Sequence, residues 1–226
     1  PVEVGQLSGS LAIDVSSVGD ILYVARQSNG IEAMDVSNPA NPVSLDIIDI
    51  TNDIDGLDVS GQYLYAIVGG GAGTLQIYNV SDPTNIFREV SVANSAGAFS
   101  GAIEVVGNYA YIGEFGDNDF EIWDVSDPTN PFVVGEATDL AGSPRDLFIS
   151  GNTAFLAIDS GVRAIDISDP NNPTQLQSVG TGSGNSFGIF VAGNYAFVAK
   201  ETDGLQVYDV TNPANMQYVG AIDVGD

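Results

Sequence analysis

The amino-acid sequence predicts an all-β protein of the β-propeller class, with five four-stranded antiparallel blades and an extra outer strand at the N-terminus. An eight-residue turn occurs five times in near copy, with starts 44, 45, 42 and 43 residues apart. This spacing is typical of a propeller blade. Helical periodicity is absent throughout. A β-sandwich is the alternative fold, but sandwiches do not usually repeat one turn sequence at fixed spacing.

The repeated turn is represented by residues 124–131, DVSDPTNP. The first residue of the turn has a short side chain that can accept hydrogen bonds from backbone N–H groups one to three residues further on. The proline at the fifth position prevents a strand from continuing through the turn. The first residues of the five copies are Asp35, Asn79, Asp124, Asp166 and Asp209. Because Asn79 keeps the acceptor oxygen without the charge, a structural turn is favoured over a metal-binding ring of aspartates.

Each copy of the turn belongs to a longer template of four strands. The first strand ends at a glycine followed by a polar residue, as at Gly107-Asn108, which indicates a two-residue hairpin. An unbroken apolar run follows, such as residues 63–68, YLYAIV, and predicts a strand that is covered on both faces. A third strand precedes the turn and a fourth strand follows it.

The turn with its preceding strand resembles a known family. Residues 161–173, GVRAIDISDPNNP, resemble the LVIVD repeat, and the resemblance extends over nearly the whole chain. It implies a β-propeller in a bacterial or archaeal surface or secreted protein. The family has no agreed catalytic residues, so the resemblance assigns none here.

The template predicts one domain over residues 1–226, with blades at 10–49, 54–92, 101–138, 144–180 and 186–223. Residues 1–7, PVEVGQL, align with 131–137 and predict an outer strand without its blade, with Val2, Val4 and Leu7 as assembly residues. The chain could be part of a larger propeller, or the strand could lie beside another strand of the same molecule. Alternatively, it could pair with an exposed edge of a neighbouring copy.

The composition limits the possible functions. The chain has 30 acidic and 5 basic residues and a formal charge of −25, which argues against nucleic-acid binding because phosphates require Lys and Arg. No apolar run is long enough to predict insertion into a membrane. Histidine and cysteine are both absent, which removes the commonest general base and the nucleophile–base pairs that use these residues.

The loop with the most acidic residues is a candidate calcium site. Glu114, Asp117, Asp119 and Glu121 could supply the carboxylate oxygens that Ca²⁺ prefers. The spacing differs from that of an EF-hand, and a solvated acidic loop is the alternative. Calcium is the only cofactor that the sequence suggests.

Acidic residues also recur on the predicted first strands of four blades. They are Asp14, Asp58, Glu104 and Asp146. A ring of acids at a central channel could bind a cation. More often such side chains accept hydrogen bonds from backbone or water.

These observations predict a non-catalytic, extracellular or cell-surface protein that acts in protein–protein interaction, adhesion or self-assembly, as in a surface layer or filament. The partner would be another protein or further copies of the chain. The alternative function is a carboxylate-dependent enzyme that processes polysaccharides, either a glycosidase or a lyase.

Overall fold

The computed structural model describes residues 11–26, 30–69, 73–93, 101–114, 119–140, 142–180, 184–201 and 203–222. These residues contain twenty β-strands. In chain order they are β1 (Ala12–Val18), β2 (Ile21–Arg26), β3 (Gly30–Asp35), β4 (Val43–Ile48), β5 (Ile54–Ser60), β6 (Tyr63–Val68), β7 (Thr74–Asn79), β8 (Phe87–Ala93), β9 (Gly101–Val106), β10 (Tyr109–Glu114), β11 (Asp119–Asp124), β12 (Phe132–Ala137), β13 (Asp146–Ser150), β14 (Thr153–Ile158), β15 (Gly161–Asp166), β16 (Thr174–Val179), β17 (Ser186–Ala192), β18 (Tyr195–Lys200), β19 (Gly204–Asp209) and β20 (Gln217–Ile222).

The strands form five four-stranded antiparallel sheets, each with its strands in sequence order. The sheets are β1 to β4, β5 to β8, β9 to β12, β13 to β16 and β17 to β20, and we call them blades 1 to 5. This arrangement confirms the predicted five repeats of four strands. The extra outer strand predicted at residues 1–7 lies outside the described residues.

Contacts along the chain divide it into two compact units. The first contains β1 to β9 with the turn Val125–Pro131, and the second contains β10 to β20 apart from that turn. Each unit has its own apolar core. In the first unit, Tyr23, Leu64 and Tyr78 are among the buried residues of the core, and in the second Phe155, Val198 and Tyr208 are.

The first hairpin of every blade depends on a glycine. Five glycines adopt nearly the same left-handed backbone conformation, with φ between +58° and +63°. They are Gly19, Gly61, Gly107, Gly151 and Gly193. Because residues with a Cβ rarely adopt this conformation, glycine at this place sets the register between the first two strands.

In blades 1 to 4, the second and third strands form the buried middle of the sheet. Of the six residues of β6, five are buried, and the same is true of β10 and β14. This burial on both faces explains the unbroken apolar runs in the sequence. The fourth strands are more exposed, as in β8 and β16.

Every blade carries a β-bulge between its third and fourth strands. In blade 3, Ile122 pairs with Gly135 and Trp123 pairs with Val133, so that one residue of the fourth strand has no partner in the ladder. The same shift occurs at the equivalent place in the other four blades. The residue after each bulge is Asp46, Val90, Gly135, Gln177 or Gly220. We call this the post-bulge position.

The post-bulge position of one blade meets the turn of the next. In the first unit, Oδ2 of Asp46 accepts a hydrogen bond of 2.9 Å from the backbone N–H of Ile86. In the second unit, Oε1 of Gln177 accepts one from the N–H of Met216. At Gly135, a Cβ atom would lie 2.1 Å from the carbonyl oxygen of Pro170. The recurring turn therefore packs against the neighbouring blade as well as joining two strands.

Candidate functional site

The acidic residues that begin the turns accept hydrogen bonds from the turn itself. Oδ1 of Asp35 accepts from the N–H of Ser37 at 2.8 Å, and Oδ1 of Asp209 accepts from the N–H of Thr211 at 2.9 Å. The side-chain hydroxyl and the backbone N–H of Ser37 donate to Asp35, and those of Thr211 donate to Asp209. These hydrogen bonds hold the pKa values of both aspartates below the usual range. The amide oxygen of Asn79 makes the corresponding bond to the N–H of Ser81 at 3.1 Å. An uncharged acceptor therefore takes the same place.

Equivalent bonds form in blade 4, and Asp124 occupies the same place at the end of β11. Oδ1 of Asp166 accepts from the N–H of Ser168 at 2.8 Å. In the turns of blades 2 and 3 a second aspartate repeats the pattern, since Oδ1 of Asp82 and Oδ1 of Asp127 each accept from the threonine two residues on, at 3.0 Å. These carboxylates are used as turn acceptors.

Two acids on the first strands connect one blade to the next. Oδ2 of Asp14 accepts a hydrogen bond of 2.8 Å from the N–H of Leu57, which lies in blade 2. Oδ2 of Asp146 accepts one of 2.7 Å from the N–H of Ile189, which lies in blade 5. Both acids stand five residues before the hairpin glycine of their blade. Burial raises the pKa of Asp14, while its backbone bonds oppose the rise.

A third acid makes the corresponding link two residues further along the strand. Oδ2 of Asp58 accepts a hydrogen bond of 2.7 Å from the N–H of Val105 in β9. Its Oδ1 accepts from the hydroxyl of Ser16 at 2.8 Å, and the Ser16 oxygen accepts from the N–H of Val59 at 3.1 Å. Glu104 lies half-buried at the equivalent place in β9. First-strand acids therefore bind the backbone of the following blade.

Sequence reasoning missed a buried polar residue that recurs on the third strand of every blade. It lies three residues before the first residue of each turn, and its five members are Glu32, Gln76, Glu121, Arg163 and Gln206. In three blades an aromatic side chain two residues further on donates to it. The donors are the Tyr78 hydroxyl at 2.5 Å, Trp123 Nε1 at 2.7 Å and the Tyr208 hydroxyl at 2.5 Å. The constant offset from the turn was a signal that could have identified these residues.

In the other two blades, the buried polar residue has a charged or polar partner instead. Glu32 forms an ion pair with Arg26, and the Arg163 guanidinium donates to the side-chain oxygen of Gln175. Each blade therefore pairs its buried polar group within the blade, as buried polar groups require.

The predicted calcium residues do not form an open carboxylate cluster. Glu114 and Glu121 are buried and joined by a side-chain hydrogen bond, and burial raises the pKa of Glu121. A hydrogen bond between two carboxyl groups requires a proton, whereas carboxyl groups bind Ca²⁺ in the ionised form. Oδ1 of Asp119 accepts from the N–H of Asp139 at 3.1 Å. Asp117 lies outside the described residues.

Within the described ranges, no group of three or more acidic residues is placed to hold a metal ion. The calcium site at Glu114, Asp117, Asp119 and Glu121 therefore stays a prediction. The described residues contain no helix that is long and apolar enough to cross a membrane.

A small polar cavity lies in the first unit beside the loop that leads from blade 1 to blade 2. Its volume is about 250 Å³. Its lining is Asp49, Ile50, Thr51, Asn52, Val68, Gln76 and Arg88. Nη1 of Arg88 donates to Oε1 of Gln76 at 3.3 Å. The cavity could hold one small polar group.

Two neighbouring acids stand at the start of β5. Burial raises the pKa of Asp55 to about 6, and the charge of Asp53 adds to the rise. A carboxyl group that titrates near pH 6 can act as a general acid. Asp55 is therefore a candidate general acid.

The family profile of the LVIVD repeat matches residues 9–46, 53–93, 100–139, 141–181 and 183–224. The chain belongs to the LVIVD repeat family. This confirms the resemblance seen in the turn and its preceding strand. No curated protein matches the chain.

Solved structures share the fold of this LVIVD-repeat protein at low sequence identity. A protein from Lactobacillus plantarum is 17% identical with a TM-score of 0.82, over 96% of this chain and 73% of its own. A functionally unknown protein from Desulfotomaculum acetoxidans is 17% identical with a TM-score of 0.78, over 94% and 70%. The periplasmic gluconolactonase PpgL of Pseudomonas aeruginosa is 15% identical with a TM-score of 0.82, over 98% and 74%. At these identities the likeness concerns the fold alone.

Proposed function

We propose that this LVIVD-repeat protein is a non-catalytic, extracellular or cell-surface module that acts through protein–protein contacts, in adhesion or self-assembly. Its partner is another protein or further copies of the chain. The observation that carries this proposal is that the acidic side chains are engaged in contacts that build the fold. Asp14, Asp58 and Asp146 are engaged with backbone N–H groups of a neighbouring strand, and Glu121 is buried against Glu114.

The enzyme alternative rests on one local feature and on the fold. Asp55 titrates near pH 6 beside Asp53 and could serve as a general acid. Some structures of similar fold are named as lactonases, among them the gluconolactonase of Pseudomonas aeruginosa. The corresponding activity would be carboxylate-dependent hydrolysis or cleavage of a polysaccharide, or hydrolysis of a sugar lactone.

Turnover assays separate the two functions. The purified chain would be incubated with a panel of polysaccharides and sugar lactones between about pH 5 and pH 8, which spans the titration of Asp55. We expect no turnover. Activity that disappears in the double variant Asp53→Asn/Asp55→Asn but persists in the exposed control Asp20→Asn would overturn the proposal.

The cellular location has its own test. Intact and permeabilised cells of the source organism would be labelled with an antibody against the chain. A surface module should be labelled equally in both preparations and removed by protease added to intact cells. Labelling that requires permeabilisation would contradict the extracellular part of the proposal.

The proposed function does not require calcium. Binding of Ca²⁺ at Glu114 and Glu121 would have to break their shared hydrogen bond and remove its proton. We therefore expect titration of the chain with CaCl₂ to give no heat and no change in the melting temperature. Heat that is lost in Glu114→Gln/Glu121→Gln would restore the calcium site predicted from the sequence.

A further inference from the structure

The polar cavity of the first unit contains an arginine whose charge is not neutralised by a neighbouring acid. Arg88 is one of five basic residues in a chain that has 30 acidic ones. Three other basic residues form ion pairs with a carboxylate, namely Arg26, Arg145 and Lys200. Within the described ranges Arg88 forms no ion pair, although it is exposed and lines the cavity together with Asp49. This cation is therefore accessible to a ligand.

The charge of Arg88 is not needed to build a blade. Arg88 lies two residues before the post-bulge position of blade 2, where the other blades have the uncharged residues Ser44, Val133, Gln175 and Tyr218. In blade 4 the buried Arg163 donates to Gln175, whereas in blade 2 Arg88 donates to the buried Gln76. The two residue types are exchanged between the strands. As a result, the cation of blade 2 lies at the cavity instead of inside the blade.

A chain of hydrogen bonds fixes the orientation of the Arg88 guanidinium. Oε1 of Gln76 accepts from Nη1 of Arg88 at 3.3 Å and from the Tyr78 hydroxyl at 2.5 Å. Nε2 of Gln76 donates to Oγ1 of Thr74 at 3.1 Å, so the amide group is held on both sides. Because a guanidinium has five N–H donors, enough of them remain to bind a carboxylate through two parallel hydrogen bonds.

The rest of the cavity lining supplies an opposite charge and an apolar surface. Asp49 and Asn52 are exposed polar residues of the loop between blades 1 and 2. Asp49 does not pair with Arg88, so that the cavity has two separate charges of opposite sign. The apolar residues Ile50 and Val68 are 7% and 1% exposed. The lining therefore combines a cation, an anion and an apolar surface within about 250 Å³.

We propose that this cavity binds a small zwitterion of the α-amino-acid class. The ligand carboxylate binds Arg88, the ammonium group binds Asp49, and an apolar side chain packs against Ile50 and Val68. A volume of about 250 Å³ suits such a small molecule, since sites for drug-sized ligands begin at about 300 Å³. A zwitterion has no net charge, whereas a simple anion would be repelled by a chain of formal charge −25. The site goes beyond the proposed function and does not depend on it.

Titrations followed by ¹H–¹⁵N NMR test the site with three molecules that share one branched apolar group. L-Valine has both charges, isovalerate has only the carboxylate, and isobutylamine has only the ammonium group. L-Valine should cause saturable shifts of the backbone N–H signals of residues 49–52 and of the Gln76 side-chain amide, with a dissociation constant of about 1 mM or below. Each analogue should bind about tenfold or more weakly, because it lacks one charge-assisted hydrogen bond.

Two variants remove one charge of the cavity each with little change in size. Arg88→Gln should bind L-valine no better than it binds isobutylamine, and Asp49→Asn should bind L-valine no better than it binds isovalerate. This crossed pattern assigns each ligand charge to its partner, which a general loss of structure would not do. Asp20→Asn, at an exposed hairpin position, is the matched control and should bind L-valine like the wild type. Far-ultraviolet circular dichroism and the melting temperature check the fold of every variant.

Three results would overturn the inference. The first is the absence of saturable shifts up to about 20 mM L-valine, well above the millimolar range of weak ligands, which would mean that the cavity holds water only. The second is binding of isovalerate or isobutylamine as tightly as L-valine. The third is an unchanged affinity for L-valine in Arg88→Gln or Asp49→Asn. None of these results would affect the proposed function, which the turnover assays and the labelling of cells test separately.

Discussion

At the scale of single residues, the first-strand acids have a structural role. A carboxylate can accept hydrogen bonds at both oxygens, and Asp146 uses one for Leu147 in its own blade and the other for Ile189 in the next. Asp14 does the same with Val15 and Leu57. The acidic composition therefore includes groups that connect neighbouring blades.

Replacement of Asp146 by alanine should weaken the second unit. The N–H of Ile189 would lose its acceptor, and such a loss costs about 1–3 kcal/mol when the group is removed from water. Asp146→Asn keeps one acceptor oxygen and should cost less. Urea unfolding followed by circular dichroism measures both free energies of unfolding. Equal stability of the alanine variant and the wild type would contradict the role of this acid.

Glu121 makes stability depend on pH in a definite direction. Burial raises its pKa in the folded state above that of the unfolded chain, so the folded state binds the proton more tightly. The contribution of protonated Glu121 to the free energy of unfolding is fully present below the ordinary glutamate pKa. It is lost as pH rises through the raised pKa of the folded state. Glu121→Gln imitates the protonated form and still accepts from Trp123.

We therefore expect Glu121→Gln to be more stable than the wild type at pH 8, with the difference shrinking towards pH 4. The free energy of unfolding would be measured for the wild type and for Glu121→Gln at each pH. Because the other acids are present in both proteins, the difference between the two free energies reports on Glu121. A difference that grows as pH falls would contradict the sign.

At the scale of elements, the order of the strands could be predicted from the sequence, whereas the contacts between blades could not. The prolines and glycines placed the turns, because each requires a specific backbone conformation. The bulge before Gly135 was missed, since its signal is one extra residue in an exposed strand. The pairing of Glu121 with Trp123 was also missed, because alternate residues of a buried strand give no pattern that distinguishes a polar pair from the apolar core around it.

The two post-bulge glycines provide a matched test of how turns pack. In Gly135→Ala the new methyl group would overlap the carbonyl oxygen of Pro170, and overpacking of this kind costs about 1–3 kcal/mol. In Gly220→Ala the methyl group has open space. Thermal unfolding should show a lower melting temperature for the first variant and little change for the second. Similar melting temperatures for both variants would mean that the turn of blade 4 does not pack tightly on blade 3.

At the scale of the whole molecule, charge is the property that the sequence predicts most directly. Thirty acidic residues against five basic ones leave a formal charge of −25. The function is less accessible, because the repeated residues that are easiest to recognise are those that build the blade.

The net charge predicts that salt stabilises the protein. Repulsion between the carboxylates opposes the compact state, and it is screened when the Debye length falls from about 20 Å to about 4 Å between roughly 20 mM and 500 mM NaCl. We expect the melting temperature to rise by about 5 °C over this range, which corresponds to roughly 1–2 kcal/mol for a chain of this size. The triple variant Asp20→Asn/Asp49→Asn/Glu136→Gln removes three charges at exposed positions and should show a smaller rise. A melting temperature that is independent of salt would mean that repulsion between the carboxylates does not limit stability. An equal rise in the variant would mean that the three replaced charges contribute little to the repulsion.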